Sequence, residues 1–134
     1  MKRTSPNAPC PCGSNSKYKK CCLIYHKGAE PKTALLLMKS RYSAFAVGDS
    51  NYIVKTTHEK NVDFSLDIKR WKESINSFTD ATEFLGLEIL EFLAGEEEAF
   101  VTFKASLSSG EMIEKSRFLK VDGRWLYING EISY

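Results

Sequence analysis

The sequence predicts an α+β protein with a small cysteine-rich segment ahead of its main domain. Apolar residues recur at three-to-four spacing between about residues 33 and 78 and alternate with period two from about residue 84 onward. A run of helices followed by a run of strands is typical of helices packed on one face of a curved antiparallel sheet. In addition, all four cysteines of the 134-residue chain fall within residues 10–22.

Three helices are expected in the first half of the main domain. Thr33 suits the N-cap of the first helix and Gly48 its C-terminal end. A second, shorter helix is capped by Asp49 or Ser50 and extends to about Thr57. Ser65 is expected to cap the third. The apolar stripes of the first and third helices are Leu35, Met38, Tyr42 and Phe45, and Ile68, Trp71, Ile75 and Phe78.

Four strands follow, and the turn at Asp122-Gly123 gives the strongest hairpin signal. A two-residue loop pairs Val121 with Arg124 and, further along, Arg117 with Ile128. One face of this hairpin then carries Phe118, Trp125 and Tyr127, and the other carries Leu119, Val121, Leu126 and Ile128. Because both faces are apolar, we expect helices to cover one face and a second copy of the chain, in a homodimer through the sheet, to cover the other.

The four cysteines predict a single tetrahedral zinc site with Cys10, Cys12, Cys21 and Cys22 as ligands. Two disulfides are an alternative, but they need an oxidising compartment, and residues 1–7 lead into no apolar run of a secretory signal. Free or redox-active thiols are a third interpretation. A shell of four thiolates leaves no open position for catalysis, so the zinc is expected to be structural.

The charge is unevenly distributed. Residues 1–30 carry six bases and one acid, whereas the rest of the chain carries 13 bases and 16 acids. A basic patch attracts acidic protein surfaces or phosphate backbones, although a solvated lysine-rich loop is the simpler interpretation. The longest apolar run, residues 34–38, is five residues long, so no membrane span is expected. We therefore expect a cytoplasmic protein.

The pattern Cys-Pro-Cys-Gly-Ser, followed by Tyr18 and the Cys21-Cys22 pair, resembles the SEC-C zinc motif of the bacterial secretion ATPase and of several small bacterial proteins. Asn15 stands where that motif usually has glycine. The resemblance implies the four cysteines as ligands, with His26 as a spare candidate that we expect to be solvated. It also implies an acidic export chaperone or the ribosome as partner, contacted by Lys17, Tyr18, Lys19 and Lys20.

The order of elements resembles the cone-shaped fold of nuclear-transport-factor-2-like and SnoaL-like domains. More closely, the SEC-C pattern followed by residues 37–45, 56–58 and 123–125 resembles the YchJ-like family of largely uncharacterised bacterial proteins. The resemblance implies a zinc-binding segment over residues 1–28 and a nuclear-transport-factor-2-like domain over residues 32–134.

Such cone domains usually enclose a pocket, and their relatives include both enzymes and binding modules. The weak catalytic candidates are His58 and Arg41, with Asp63 and Glu114 as available acids. The pocket candidates are Tyr42, Trp71 and Arg117. Each has a structural alternative: His58 as a cap or surface residue, Trp71 as core, and Arg117 paired with an acid at the sheet rim or at an interface.

Three functions are compatible with these residues. The leading one is a zinc-binding adaptor whose basic segment docks an acidic partner. The alternative is a small-ligand-binding protein or enzyme that uses the cone pocket. A nucleic-acid binder is the weakest hypothesis, because the basic segment has one aromatic residue in its lysine-rich stretch and no recognition helix.

Overall fold

The computed structural model describes residues 4–133. Residues 1–3 of the predicted zinc-binding segment and residue 134 of the predicted main domain lie outside the described residues. A short 3-10 turn, Tyr18–Lys20, precedes the helices, and four antiparallel strands follow them. The helices are α1 (Cys22–His26), α2 (Ala34–Val47), α3 (Ser50–Lys55) and α4 (Ile68–Ala81). The strands are β1 (Phe84–Leu93), β2 (Glu98–Leu107), β3 (Gly110–Val121) and β4 (Arg124–Ser133). The predicted α+β class is therefore confirmed.

Local sequence signals set most helix ends. The hydroxyl of Thr33 accepts the Leu36 N–H at the start of α2, and Gly48 ends that helix with φ of 79°. Asp49 caps α3. The cap of α4 differs from the expectation, because the Asp67 carboxylate accepts the Arg70 N–H while Ser65 only stabilises the preceding turn.

The sheet is a meander in the order β1-β2-β3-β4, with every neighbouring pair antiparallel. The hairpin register is as predicted from Val121–Arg124 to Phe118–Tyr127, but the expected pairing of Arg117 with Ile128 is wrong. A bulge inserts Ile128 as an extra residue, so Arg117 pairs with Asn129. The extra residue is also buried, with 7% exposure, instead of lying on the outer face.

The core lies between the helices and the inner face of the sheet. Its buried residues include Leu37, Trp71, Val101, Phe118 and Trp125. From the other predicted stripe positions, Ile68 and Phe78 remain partly exposed on α4.

Residues 4–133 leave the outer face of the sheet uncovered. It carries ion pairs such as Arg117–Glu98, at 2.6 Å, beside partly exposed Leu93 and Val121. Homodimerisation through this face stays a prediction. Within residues 4–133, no helix is both long enough and apolar enough to cross a membrane.

Candidate metal centre and domain cavity

The four cysteine sulfurs converge on one point. All lie within 4.8 Å of one another, and the Sγ atoms of Cys12 and Cys21 are 3.6 Å apart. None of the four is disulfide-bonded. A tetrahedral zinc ion with Zn–S bonds of about 2.3 Å separates its sulfurs by about 3.8 Å, so this arrangement fits one ion with four thiolate ligands.

The loop between the two cysteine pairs is shaped by two left-handed residues. Gly13 has φ of 82° and Asn15 has φ of 68°, as expected of the asparagine that replaces the usual glycine. The N–H of Cys10 donates to the Ser16 carbonyl at 2.8 Å and closes the loop. Helix α1 then begins at Cys22, which places the last two ligands opposite the first two.

Contacts among the thiols shift their pKa values in opposite directions. Hydrogen bonds from Cys12 and Cys22 lower the pKa of Cys10. Hydrogen bonds with Cys10 and Cys12 raise the pKa of Cys22, and the hydrogen bond with Cys10 raises the pKa of Cys12 to about 11. A divalent cation bound between these sulfurs would release their protons and hold all four as thiolate ligands.

Two residues of the cysteine segment are placed differently from the expectation. Tyr18, expected to be presented to a partner, is only 5% exposed. Its hydroxyl donates to Nδ1 of His26 at 2.6 Å, and Nε2 of His26 donates to the Ser40 carbonyl of α2 at 2.8 Å. His26 is thus not a solvated residue, because it links the cysteine segment to the main domain. In contrast, Lys17, Lys19 and Lys20 are exposed.

Further contacts fix the cysteine segment against α2. The Ser43 hydroxyl lies 3.5 Å from Sγ of Cys10, and Val47 packs into the buried cluster around the cysteines. The ring of His26 packs against that of Tyr52 in α3, with the ring centres 4.8 Å apart and the planes tilted by 57°. The metal centre and the main domain therefore share an interface on α2 and α3.

The pH dependence of this interface follows from His26. Burial lowers its pKa below the usual value near 6.5, so folding favours the neutral ring, and the stability it contributes is lost as the pH falls below about 6.5. Protonation would also oppose the Tyr18 O–H bond to Nδ1. We expect unfolding free energy to fall less steeply between pH 7.5 and 5.5 in His26→Gln than in wild type, as measured by urea unfolding. Acid release of metal is common to both proteins, so equal slopes would contradict this role.

A cavity of about 720 Å³ opens between the helices and the inner face of the sheet. It reaches the surface at α4 and the preceding loop, where exposed Asp63, Arg70 and Ser74 border it. Most of its wall is apolar or aromatic, formed by Met38, Tyr42, Phe45, Trp71, Ile75, Phe78, Phe84, Phe103, Leu107, Met112 and Phe118.

The cavity brings together some of the candidate residues and not others. Tyr42, Trp71 and Arg41 line it. His58 does not: it is buried elsewhere, where its Nδ1 accepts the Lys60 N–H and its main-chain N–H donates to the Tyr127 carbonyl. Arg117 lies on the outer face, because the hairpin alternation turns it away from the cavity toward Glu98. Arg117 therefore does not line this cavity, and it pairs with an acid, as in the structural alternative.

Arg41 is a buried cation at the inner end of the cavity. Its Nη1 donates to the Thr56 hydroxyl at 2.7 Å and to the Ile53 carbonyl and Thr57 hydroxyl at 3.2 Å. The guanidinium also lies 4.7 Å from the ring centre of Tyr127. Burial lowers the pKa of Arg41 to about 10, which still leaves it charged at neutral pH.

Glu114 is the matching buried acid. Its Oε2 accepts hydrogen bonds from the hydroxyls of Ser116 and Tyr127, the second at 3.0 Å. The contact also raises the pKa of Tyr127, after the larger effect of burial. The sequence suggested this acid without a location, although its alternation with Phe118 along β3 could have placed it on the inner face.

The two parts of the chain resemble known families. Residues 33–130 match the family model described as the middle NTF2-like domain of YchJ, and residues 7–23 match the SEC-C motif. A UPF0225 protein of Streptomyces coelicolor is 41% identical over 133 residues, which cover 94% of this chain and 97% of that protein. A UPF0225 protein of Serratia proteamaculans is 38% identical over 130 residues, covering 90% and 81%.

The chain belongs to the YchJ-like family.

Two solved structures share its architecture. A SEC-C motif-containing protein from Psychrobacter arcticus superposes with a TM-score of 0.76 at 29% identity and covers 96% of this chain and 85% of its own. A SEC-C motif-containing protein from Rhodopseudomonas palustris gives a TM-score of 0.74 at 28% identity, covering 92% and 98%. The nuclear-transport-factor-2-like class predicted for this YchJ-like chain is thereby confirmed.

In this YchJ-like protein, Gly130 makes room for the buried carboxylate. A Cβ atom there would lie only 2.7 Å from Cδ of Glu114. We expect Gly130→Ala to lower the free energy of unfolding by about 1–3 kcal/mol, because the carboxylate has to leave its hydroxyl partners. Urea unfolding measures the effect, with exposed Glu131→Ala on the same strand as control. A loss no larger than that of the control would show that Glu114 can shift freely.

Proposed function

We propose that this protein binds a small molecule in the cavity of its main domain, while a structural zinc ion holds the cysteine segment against that domain. One observation carries the proposal: the cavity combines a largely aromatic wall with buried Arg41 and Glu114 at about 720 Å³. Small-molecule sites typically measure about 300–1,000 Å³ and place a few polar groups in an apolar wall.

Zinc is the metal that the donor set favours. Four thiolates within tetrahedral reach suit a soft-to-borderline ion that needs no redox change. The four sulfurs complete the shell, so the ion has no position for substrate. Its proposed role is to fix a segment too small to bury a core of its own.

Retention of a small molecule tests the cavity proposal. Native mass spectrometry of the full chain purified from cells reports bound metal and any additional mass together. Ser74→Trp would fill the mouth from an exposed position on α4, and Ser77→Trp is the matched control, exposed on the same helix away from the cavity. We expect the added mass in wild type and Ser77→Trp and its loss in Ser74→Trp. An unliganded wild type, or equal retention in both variants, would contradict the proposal.

Docking of an acidic protein partner is a second candidate function. The observation that favours it is the exposure of Lys17, Lys19 and Lys20 around a loop that the metal site would hold rigid. Rigidity limits the entropy lost on binding. The contact would now rest on the lysines alone, since Tyr18 is buried.

An affinity measurement with purified acidic export chaperone, or with ribosomes, tests this candidate. Replacing Lys17, Lys19 and Lys20 together with glutamate should abolish binding, and added salt should weaken it. Replacing exposed Lys69 and half-buried Lys72 of α4 provides a basic control away from the segment. Binding that survives the triple substitution or metal chelation would exclude this role.

A further inference from the structure

The carboxylate of Glu114 is held on one side and open on the other. Both hydroxyl donors, from Ser116 and Tyr127, bond to Oε2. Within residues 4–133, Oε1 has no hydrogen-bonding or ion-pairing partner. Every fully buried polar side-chain atom that the structure describes has a hydrogen-bond partner, so Oε1 is not fully buried. With Glu114 only 9% exposed and lining the cavity, Oε1 is left as an acceptor facing that space.

The side chains around this acceptor favour a ligand with an aromatic ring. Glu114 lies directly across the β2–β3 ladder from Phe103, so the carboxylate and the aromatic side chain share the inner face. Tyr42, Trp71 and Phe84 line the same cavity. A flat, largely apolar molecule would exchange water for these rings over most of its surface.

Charge balance decides what the polar end of that molecule should be. Arg41 and Glu114 are the buried charges of the cavity, of opposite sign, with the Tyr127 side chain between them. Their charges cancel, so a ligand with a net charge would leave one buried charge uncompensated. An uncharged donor satisfies Oε1 without that cost.

We infer that the cavity takes an uncharged, predominantly aromatic compound that donates one O–H or N–H to Oε1 of Glu114. This inference rests on the proposed small-molecule function and specifies its ligand class. Ligands recognised by their negative charge at Arg41, or by a positive charge at Glu114, are the competing outcomes.

Four naphthalene derivatives of similar size separate these outcomes. They are 2-naphthol, which donates an O–H; 2-methoxynaphthalene, which does not; 2-naphthoate, an anion; and 2-naphthylmethylamine, a cation. Dissociation constants would be measured by two-dimensional NMR titration of the full chain at neutral pH. We expect 2-naphthol to bind at least about tenfold more tightly than each of the other three, since a hydrogen bond to a charged acceptor is stronger than one between neutral groups.

A substitution then assigns the preference to Glu114. In Glu114→Gln the amide oxygen can keep the two hydroxyl donors, which turns an N–H group toward the cavity in place of the acceptor. The preference for 2-naphthol over 2-methoxynaphthalene should fall to about twofold or less. Folding is checked by circular dichroism, and the wild-type ratios stand as a test if the variant does not fold.

Several results would overturn the inference. Equal binding of 2-naphthol and 2-methoxynaphthalene would reject the donor while leaving small-molecule binding intact. Tighter binding of the naphthoate or the amine would assign recognition to a charge. Binding of none of the four would also reject this ligand class, whereas the proposed function itself is judged separately by the mass retained in native spectrometry.

Discussion

Replacing Cys22 with serine is expected to abolish metal binding and to lower the free energy of unfolding by at least about 3 kcal/mol. Cys22 is 2% exposed, lies within reach of the other three sulfurs and begins α1. Without the ion, the four crowded thiols lose the cation that holds them together. For a domain of this length the loss corresponds to a melting temperature lower by roughly 10 °C. Metal content by mass spectrometry and thermal unfolding by circular dichroism measure both effects.

The decrease in the free energy of unfolding should exceed the contribution of the cysteine loop alone, because the interface with α2 depends on an intact metal site. Once the segment is released, His26, which Tyr18 holds in place, no longer donates to the Ser40 carbonyl, and Val47 loses its cover. Buried apolar area and a satisfied carbonyl would both be exposed. Treatment of the wild type with a chelator should reproduce the same decrease.

Ser16→Ala is the matched control for the cysteine substitution. The exposed Ser16 lies in the same loop and contributes its main-chain carbonyl, which accepts the Cys10 N–H, without offering a ligand atom. It should keep its metal and change stability by less than about 0.5 kcal/mol. A Cys22→Ser protein with full metal content and an unchanged melting temperature would show that this metal site does not stabilise the fold.

Local signals made the element pattern readable from the sequence. Thr33, Gly48 and the Asp122-Gly123 turn each act through their own backbone, so the corresponding boundaries follow from residue type. The bulge at Ile128, near the middle of β4, was not predicted, since the residues that follow it, Asn129, Gly130 and Glu131, carry no hydrophobic alternation that would mark the register. It shifted Arg117 from the expected partner and Ile128 from the expected face.

The candidate site was predictable only where its parts are close in sequence. The four candidate metal ligands fall within one short segment and were predicted from their spacing. The cavity instead assembles Arg41 from α2, Glu114 from β3 and Tyr127 from β4, so no local pattern joins them. The role of His26 was missed for the same reason, because its partner Ser40 belongs to another element, and the burial of Tyr18 follows from its bond to His26.

Arg41→Met is expected to lower the free energy of unfolding by about 3–5 kcal/mol, although the two side chains have similar length. The substitution removes three hydrogen bonds from Nη1 at the C-terminal end of α3, where a cation also complements the helix dipole. It further leaves Glu114 without the buried charge that balances it. Urea unfolding monitored by tryptophan fluorescence measures the loss.

Arg70→Met provides the comparison. Arg70 borders the same cavity but is exposed on α4, so its removal should change stability by less than about 0.5 kcal/mol. Arg41→Lys keeps the charge without the planar fork and should fall between wild type and Arg41→Met. A methionine variant as stable as the Arg70 control would show that the buried guanidinium contributes no net stability.

A double-mutant cycle separates charge balance from the lost hydrogen bonds. If Arg41 offsets the buried carboxylate, neutralising that carboxylate first should lessen the effect of removing Arg41. The double variant Arg41→Met with Glu114→Gln should therefore be less destabilised than the two single variants predict together, by about 0.5–3 kcal/mol. Strict additivity would mean that the two charges act independently. The uncharged ligand class inferred for the cavity would then lose its electrostatic basis, even if the cavity binds.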